Sequence, residues 1–130
     1  MATFGAQSLV QLRTLDARLQ SILVEAIKGT DFTILCGHRG QKAQDAAFSE
    51  RKSKVKYPNS KHNSLPSLAV DVAPYPIDWN DEVRFARLIG HIERVAYEQG
   101  IKVRVGLDFS GDGRSIDERF LDFPHVELVD

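Results

Sequence analysis

Cys36 is the only cysteine in this chain of 130 residues. No intramolecular disulfide can form, and zinc sites built from several thiolates are excluded, so the fold has to be held by its apolar pattern alone. That pattern is strongest near the start. Leu9, Leu12, Leu15, Leu19, Ile22, Leu23, Ala26 and Ile27 recur at three- and four-residue spacing. This predicts one amphipathic helix from Ser8 to Lys28, ended by Gly29. Phe32 to Cys36 is a short β-favouring run, Gly37 and Gly40 punctuate the chain after it, and a second helix is expected from Gln41 to about Arg51.

The stretch from Lys52 to Ser67 is polar, carries Pro58 and Pro66 and has no sustained period, which reads as a surface loop. Leu68 to Ala73 resumes as a buried strand, broken by Pro74 and Pro76. Asn80 or Asp81 can cap a helix running to about Gln99, and Gly100 closes it. Lys102 to Val105 reads as a strand, Gly106 to about Ser115 as a Gly- and Asp-rich loop, and Val126 to Leu128 as the last strand. No internal repeat or linker divides the chain. The expectation is one α+β domain over residues 1–130: a small antiparallel sheet flanked by about three helices, with no second domain.

Charge narrows the function. A formal net charge of -1 gives no field for holding a polyphosphate backbone, and the basic cluster from Arg51 to Lys56 has no aromatic platform before Tyr57. Nucleic acid is therefore not expected as a partner. The N-terminal residues lack a basic region followed by an apolar run, and no segment approaches the roughly 20 apolar residues of a membrane span. The expected location is the cytoplasm of the cell that makes it, without stable membrane association, as a monomer.

Potential metal ligands lie in three segments: Ser60-Lys61-His62, Ala69-Val70-Asp71 and Asp122-Phe123-Pro124-His125-Val126-Glu127. Two histidines and one carboxylate leave a fourth tetrahedral position open, which a catalytic zinc needs. Spacing alone is weak evidence, because four histidines and eighteen acidic residues generate many such sets by chance. Context sharpens it. Asp71 sits inside an apolar strand, where an unpaired carboxylate is costly and calls for a metal or a strong donor; capping a neighbouring loop is the bland alternative. His125 follows Pro124 into a strand, and its bland alternative is an ordinary half-buried histidine.

These segments resemble the signature of the LAS superfamily of zinc peptidases, and within it phage endolysins of the L-alanyl-D-glutamate peptidase type. The resemblance runs from the Cys36-Gly37-His38-Arg39 turn to the C-terminus and includes Val72-Ala73-Pro74-Tyr75-Pro76. It implies that His62, Asp71 and His125 hold one zinc ion and that Asp122 is the general base. It also implies that Arg39 binds a substrate carboxylate or polarises the scissile carbonyl, as a guanidinium fork suits. Ser60 is expected to support the ligand loop or touch substrate, and Gln44 to contact substrate from one turn into its helix. Glu127, two residues from His125 on a strand, is the competing base or the partner of the ligand imidazole. His38 lies beside the site without a role, and His91 is expected to be structural.

The resemblance further implies a substrate of peptidoglycan stem peptides, cut at the L-alanyl-D-glutamate bond during host lysis, with a separate membrane-permeabilising protein giving access to the wall. The alternatives are a D-alanyl-D-alanine carboxypeptidase or dipeptidase on the same scaffold, or a non-catalytic zinc-stabilised binding module, against which the retained Asp122 argues. Two features depart from the family pattern. The nine positions from His62 to Asp71 exceed the interval common in the family, which lengthens the rim of the cleft. Asp108-Phe109-Ser110-Gly111-Asp112-Gly113 resembles half of a calcium loop but carries Ser110 at its third position and Arg119 where a bidentate glutamate belongs, so the weight falls on a plain glycine-rich lid rather than on calcium.

Overall fold

The computed structural model describes residues 2–107 and 122–129. Within them the chain forms α1 (Ala6–Leu12), α2 (Ala17–Ala26), β1 (Phe32–Cys36), α3 (Gln41–Ser49), a 3-10 turn (Lys61–Asn63), β2 (Ala69–Pro74), α4 (Glu82–Glu98), β3 (Val103–Val105) and β4 (His125–Leu128). The four strands make one antiparallel sheet in the order β1-β2-β4-β3. The α+β class and the antiparallel sheet follow the sequence expectation, and among the described residues the expected helices, about three in number, are four with a 3-10 turn because the first is divided. The run resembling a calcium loop, and all but the first two residues of the expected lid from Gly106, lie outside the described residues.

The single helix expected from Ser8 to Lys28 is two helices. Asp16 caps α2 by accepting a hydrogen bond from the Arg18 amide at 2.9 Å, and Leu15 leaves the helical path to form a parallel bridge with Ser67. Both helices face the same core, so Leu12, Leu15, Leu19, Ile22, Leu23, Ala26 and Ile27 are all buried and the apolar period runs across the break unaltered. Leu9 is not part of that face; it is exposed, and Ser8 takes the inward position, its hydroxyl accepting from the Ile34 amide at 3.0 Å.

Helix α4 is capped by Asp81, whose carboxylate accepts from the Arg84 amide, and ends before Gly100, whose φ of 72° suits a residue without a Cβ. Its buried stripe of Phe85, Leu88, Ile89, Ile92, Val95 and Ala96 packs against α2 and one face of the sheet. Each Leu or Ile removed from water there contributes about 1.5–3 kcal/mol. His91, expected to be structural, links α4 to the end of α2 through Nε2 and the Ala26 carbonyl, 2.9 Å apart.

The turn after β1 is packed tightly against the end of α1. The Gly37 amide donates to Gln11 Oε1 at 2.9 Å and the His38 amide to Thr14 Oγ1 at 2.9 Å. A Cβ on Gly37 would collide with Thr14 Oγ1 and lie 2.8 Å from the Gln11 carbonyl oxygen and 2.9 Å from Leu15 Cδ2. Gly37→Ala is therefore expected to cost about 1–3 kcal/mol through overpacking, read as a lower midpoint in urea with an unchanged slope.

Candidate active site

Strand register sets the centre of the site. In the antiparallel pairing, Asp71 of β2 stands opposite Cys36 of β1 on one side and His125 of β4 on the other, a row of three residues across the sheet. His62 enters from the 3-10 turn. Ser60 caps that turn, its hydroxyl accepting from the His62 amide at 3.2 Å while its own amide donates to Asn63 Oδ1 at 3.0 Å. The His62 carbonyl accepts from the Arg39 amide at 2.7 Å, which fastens the turn to the chain after β1. Ser60 also lines the cleft.

Both histidines have one ring nitrogen committed to an acceptor. His62 Nδ1 lies 2.7 Å from the Gly37 carbonyl oxygen, and His125 Nε2 lies 2.8 Å from Glu127 Oε1. Those contacts place the ring proton on the outer nitrogen in each case, leaving His62 Nε2 and His125 Nδ1 with lone pairs when neutral. Each of these two atoms is 3.3 Å from the same oxygen, Asp71 Oδ1. His62 Nε2 is buried and has no aligned hydrogen-bond partner. Three electron-rich atoms converging inside the protein require a cation among them.

Without a metal, protons fill that role. Burial pushes the His62 pKa down, but the Asp71 carboxylate and Cys36 outweigh it and raise it to about 10. Burial likewise opposes charge on His125, and Asp71 and Glu127 raise its pKa to about 9. Asp71 itself, despite burial, is held well below the usual carboxylate range by His125 and His62. The donor set of two imidazoles and a carboxylate fits zinc, with His62 Nε2, His125 Nδ1 and Asp71 as the atoms that would hold it.

Asp122 stands on the same side, its Oδ2 4.0 Å from His125 Nδ1. The His125 amide donates to the Asp122 carbonyl at 3.1 Å, making the turn through Phe123 and Pro124 that folds the carboxylate back toward the cluster. Gly106 backs this turn through two main-chain bonds, to His125 and Asp122, and a Cβ there would run into the Asp122 main chain. Burial, then the neighbouring Asp71 charge, raises the Asp122 pKa above its ordinary value. Arg39 reaches in from the opposite flank, with Nη2 3.5 Å from Asp71 Oδ2. These groups sit in a cleft of about 950 Å³ lined also by Ala43, Ala46, Ala47, Lys52, Lys54 and Trp79.

A family model described as phage L-alanyl-D-glutamate peptidase matches residues 1–129. The chain belongs to that family. It is 38% identical over 136 residues to the L-alanyl-D-glutamate peptidase of Escherichia phage T5, covering 97% of each chain. Its fold is similar to that of the L-Ala D-Glu endopeptidase ChiX of Serratia marcescens, with a TM-score of 0.75, 25% identity, and 98% of this chain and 90% of that one covered.

Set beside the family expectations, the structure brings His62, Asp71, His125, Asp122 and Arg39 together and corrects one assignment. Gln44, expected to touch substrate, is fully buried; its carbonyl accepts from Arg39 Nη1 at 3.1 Å and Asn63 Nδ2 at 3.2 Å, and its amide nitrogen donates to Ser53 Oγ and the Val55 carbonyl. It holds Arg39 from behind instead of facing the cleft. His38, unassigned in the sequence, bonds the Ser64 carbonyl on the exposed side. Sequence reasoning passed over Cys36, which the β1–β2 register sets beside His62 and Asp71 as a second group with metal-binding spacing. Cys36 Sγ is 4.0 Å from His62 Nδ1 and 3.8 Å from Arg39 Nη2. Strand alternation placed it, and only the pairing partner was illegible.

The raised histidine values fix the sign of a pH effect. A group whose folded pKa lies above its unfolded value of about 6.5 adds stability below that value and loses it as pH rises toward the folded one. Metal-free protein is expected to lose melting temperature between about pH 7 and pH 10, and zinc is expected to abolish the slope. Glu127→Gln should weaken zinc binding about 10–100-fold in a competition with a chromophoric chelator, because the His125 ring proton then loses its carboxylate.

Proposed function

We propose that the chain is a zinc-dependent endopeptidase that hydrolyses the L-alanyl-D-glutamate bond of peptidoglycan stem peptides, as a phage lysis enzyme. One observation carries this reading within the family: the convergence of His62 Nε2, His125 Nδ1 and Asp71 Oδ1 beside Asp122, inside a cleft large enough for a peptide. Zinc, when bound, supplies Lewis acidity toward water and toward the scissile carbonyl.

The remaining steps belong to the chain's own residues. Asp122 takes a proton from the attacking water and passes it to the leaving amine of D-glutamate; its raised pKa suits a group that must both accept and donate. Arg39 offers its guanidinium to the carbonyl oxygen as charge gathers there, or to a carboxylate of the substrate, and Gln44 and Asp71 restrain its position. Glu127 stands behind His125, 2.8 Å from Nε2, with Lys61 3.3 Å from its other oxygen, contacts that support an orienting role for it and leave the base role to Asp122 in this reading. Among the described residues no helix is long and apolar enough to cross a membrane. As a phage lysis enzyme, on this reading, it reaches the wall with the help of a separate permeabilising protein.

The test is digestion of purified sacculi with and without a zinc chelator, with the new termini read by mass spectrometry. L-Alanine carboxyl ends paired with D-glutamate amino ends, lost with chelator and restored by zinc, are expected. Free D-alanine would move the reaction to a carboxypeptidase, and no cleavage by folded, zinc-loaded protein would leave a binding module. Asp122→Asn is expected to keep its zinc and lose about a hundredfold or more of kcat; survival of activity there, with loss in Glu127→Gln, would transfer the base role to Glu127.

A further inference from the structure

The cleft is chemically lopsided. Its β1 flank, formed by the turn before α3, by α3 and by the segment after it, carries three cations, Arg39, Lys52 and Lys54, against one acid, Glu50, which pairs with Lys52. Its β4 flank carries Trp79, beside the Asp122-Phe123-Pro124 turn. A small hollow of about 230 Å³ adjoins it there, and among the described residues that line the hollow the charged ones are Glu82 and Asp122, both acidic. Trp79 is 59% exposed although it borders the metal-binding cluster. One face of its indole stacks on buried Phe85, with ring centroids 5.3 Å apart and planes 24° apart, so the ring is a supported platform.

We infer that Trp79 and the hollow beside it form a subsite for the N-acetylmuramyl sugar of the substrate, and that the stem peptide crosses the cluster from the β4 flank to the β1 flank. This rests on the peptidase reading. In peptidoglycan the amino group of L-alanine is acylated by the lactyl group of the muramyl sugar, so the substrate on that side of the scissile bond has no free carboxylate near it and begins with a sugar ring. On the other side D-glutamate and the residues after it carry carboxylates. The acidic, aromatic flank repels the second half and offers the first a flat apolar face on which a pyranose can stack; the basic flank does the reverse. Phe85 already fills the core beneath Trp79, so the indole adds little to that core and stays largely exposed beside the cluster.

Trp79 is the chain's only tryptophan, so the intact protein reports on this subsite directly. Zinc-loaded full-length chain is titrated with N-acetylmuramyl-L-alanine, with N-acetyl-L-alanine and with the free tetrapeptide, following indole fluorescence. A saturable blue shift with the muramyl compound, absent with N-acetyl-L-alanine, is expected. In parallel, kcat/KM is measured on muramyl tetrapeptide and on free tetrapeptide; the ratio of the two is expected to fall about tenfold in Trp79→Ala and to recover in Trp79→Phe, the scale of one lost stacking contact. Binding of the muramyl compound without a fluorescence change, a shift caused by the free tetrapeptide instead, or an unchanged ratio in Trp79→Ala overturns the inference. If the wild type cleaves neither substrate while folded and zinc-loaded, the peptidase reading itself fails and the subsite falls with it.

Discussion

A single carboxylate oxygen organises this molecule's chemistry. Asp71 Oδ1 lies 3.3 Å from a nitrogen of His62 and 3.3 Å from a nitrogen of His125, and the outer nitrogens of both rings are already committed elsewhere. Such an arrangement is unfavourable unless positive charge sits in the middle, because buried lone pairs repel and water has little access to relieve them. The fold supplies the force that keeps it: β2 runs between β1 and β4, both its faces are largely buried, and its register cannot slip without turning Val70 and Val72 out of the core. Moving Asp71 away from the histidines would expose that apolar surface, so the packing of β2 holds the carboxylate beside them.

How much of this was readable from residues alone depended on whether the signal was local. Strand β2 announced itself as an apolar run with one misplaced carboxylate, and the caps at Asp81 and Gly100 bracketed α4 within two residues. The break between α1 and α2 was not legible, because an apolar period reports which side of a segment faces the core and is indifferent to a kink that keeps the same side inward. Asp16 was the available signal: a short carboxylate two residues before an arginine amide it could cap. Gln44 was misjudged for a different reason. A polar residue on a helix near a site resembles a substrate contact, and only tertiary structure reveals that Arg39, Asn63, Ser53 and Val55 consume all of its hydrogen-bonding capacity.

The candidate site residues themselves were picked out through motif resemblance more than through physics. Spacing cannot bring His62 beside Asp71, since the loop between them has no period. What brings them together is a set of main-chain bonds: the Leu68 amide to the Lys61 carbonyl, the Arg39 amide to the His62 carbonyl, and the Ser67 amide to the Thr14 carbonyl. Residues 63–66 run between these anchor points, and none of residues 63–70 lines the cleft, so the expected lengthening of its rim is not seen there.

The two histidines are not equivalent, and the difference follows from what each outer nitrogen meets. His62 faces a neutral carbonyl, that of Gly37, in the tightly packed turn after β1. His125 faces the Glu127 carboxylate, which also contacts Lys61. A carboxylate makes the imidazole opposite it a stronger donor than a carbonyl does, and Lys61 moderates that push by drawing on the same charge. Lys61 in turn bonds the Leu128 carbonyl at the end of β4, so it lies next to His62 in sequence and next to His125 in space. The charge on the His62, Asp71 and His125 cluster is thereby connected to the packing of the last strand. His62 is thus tied to the tightly packed turn after β1, whereas His125 is tied through Glu127 and Lys61 to the last strand, so the two imidazoles are held by separate parts of the fold.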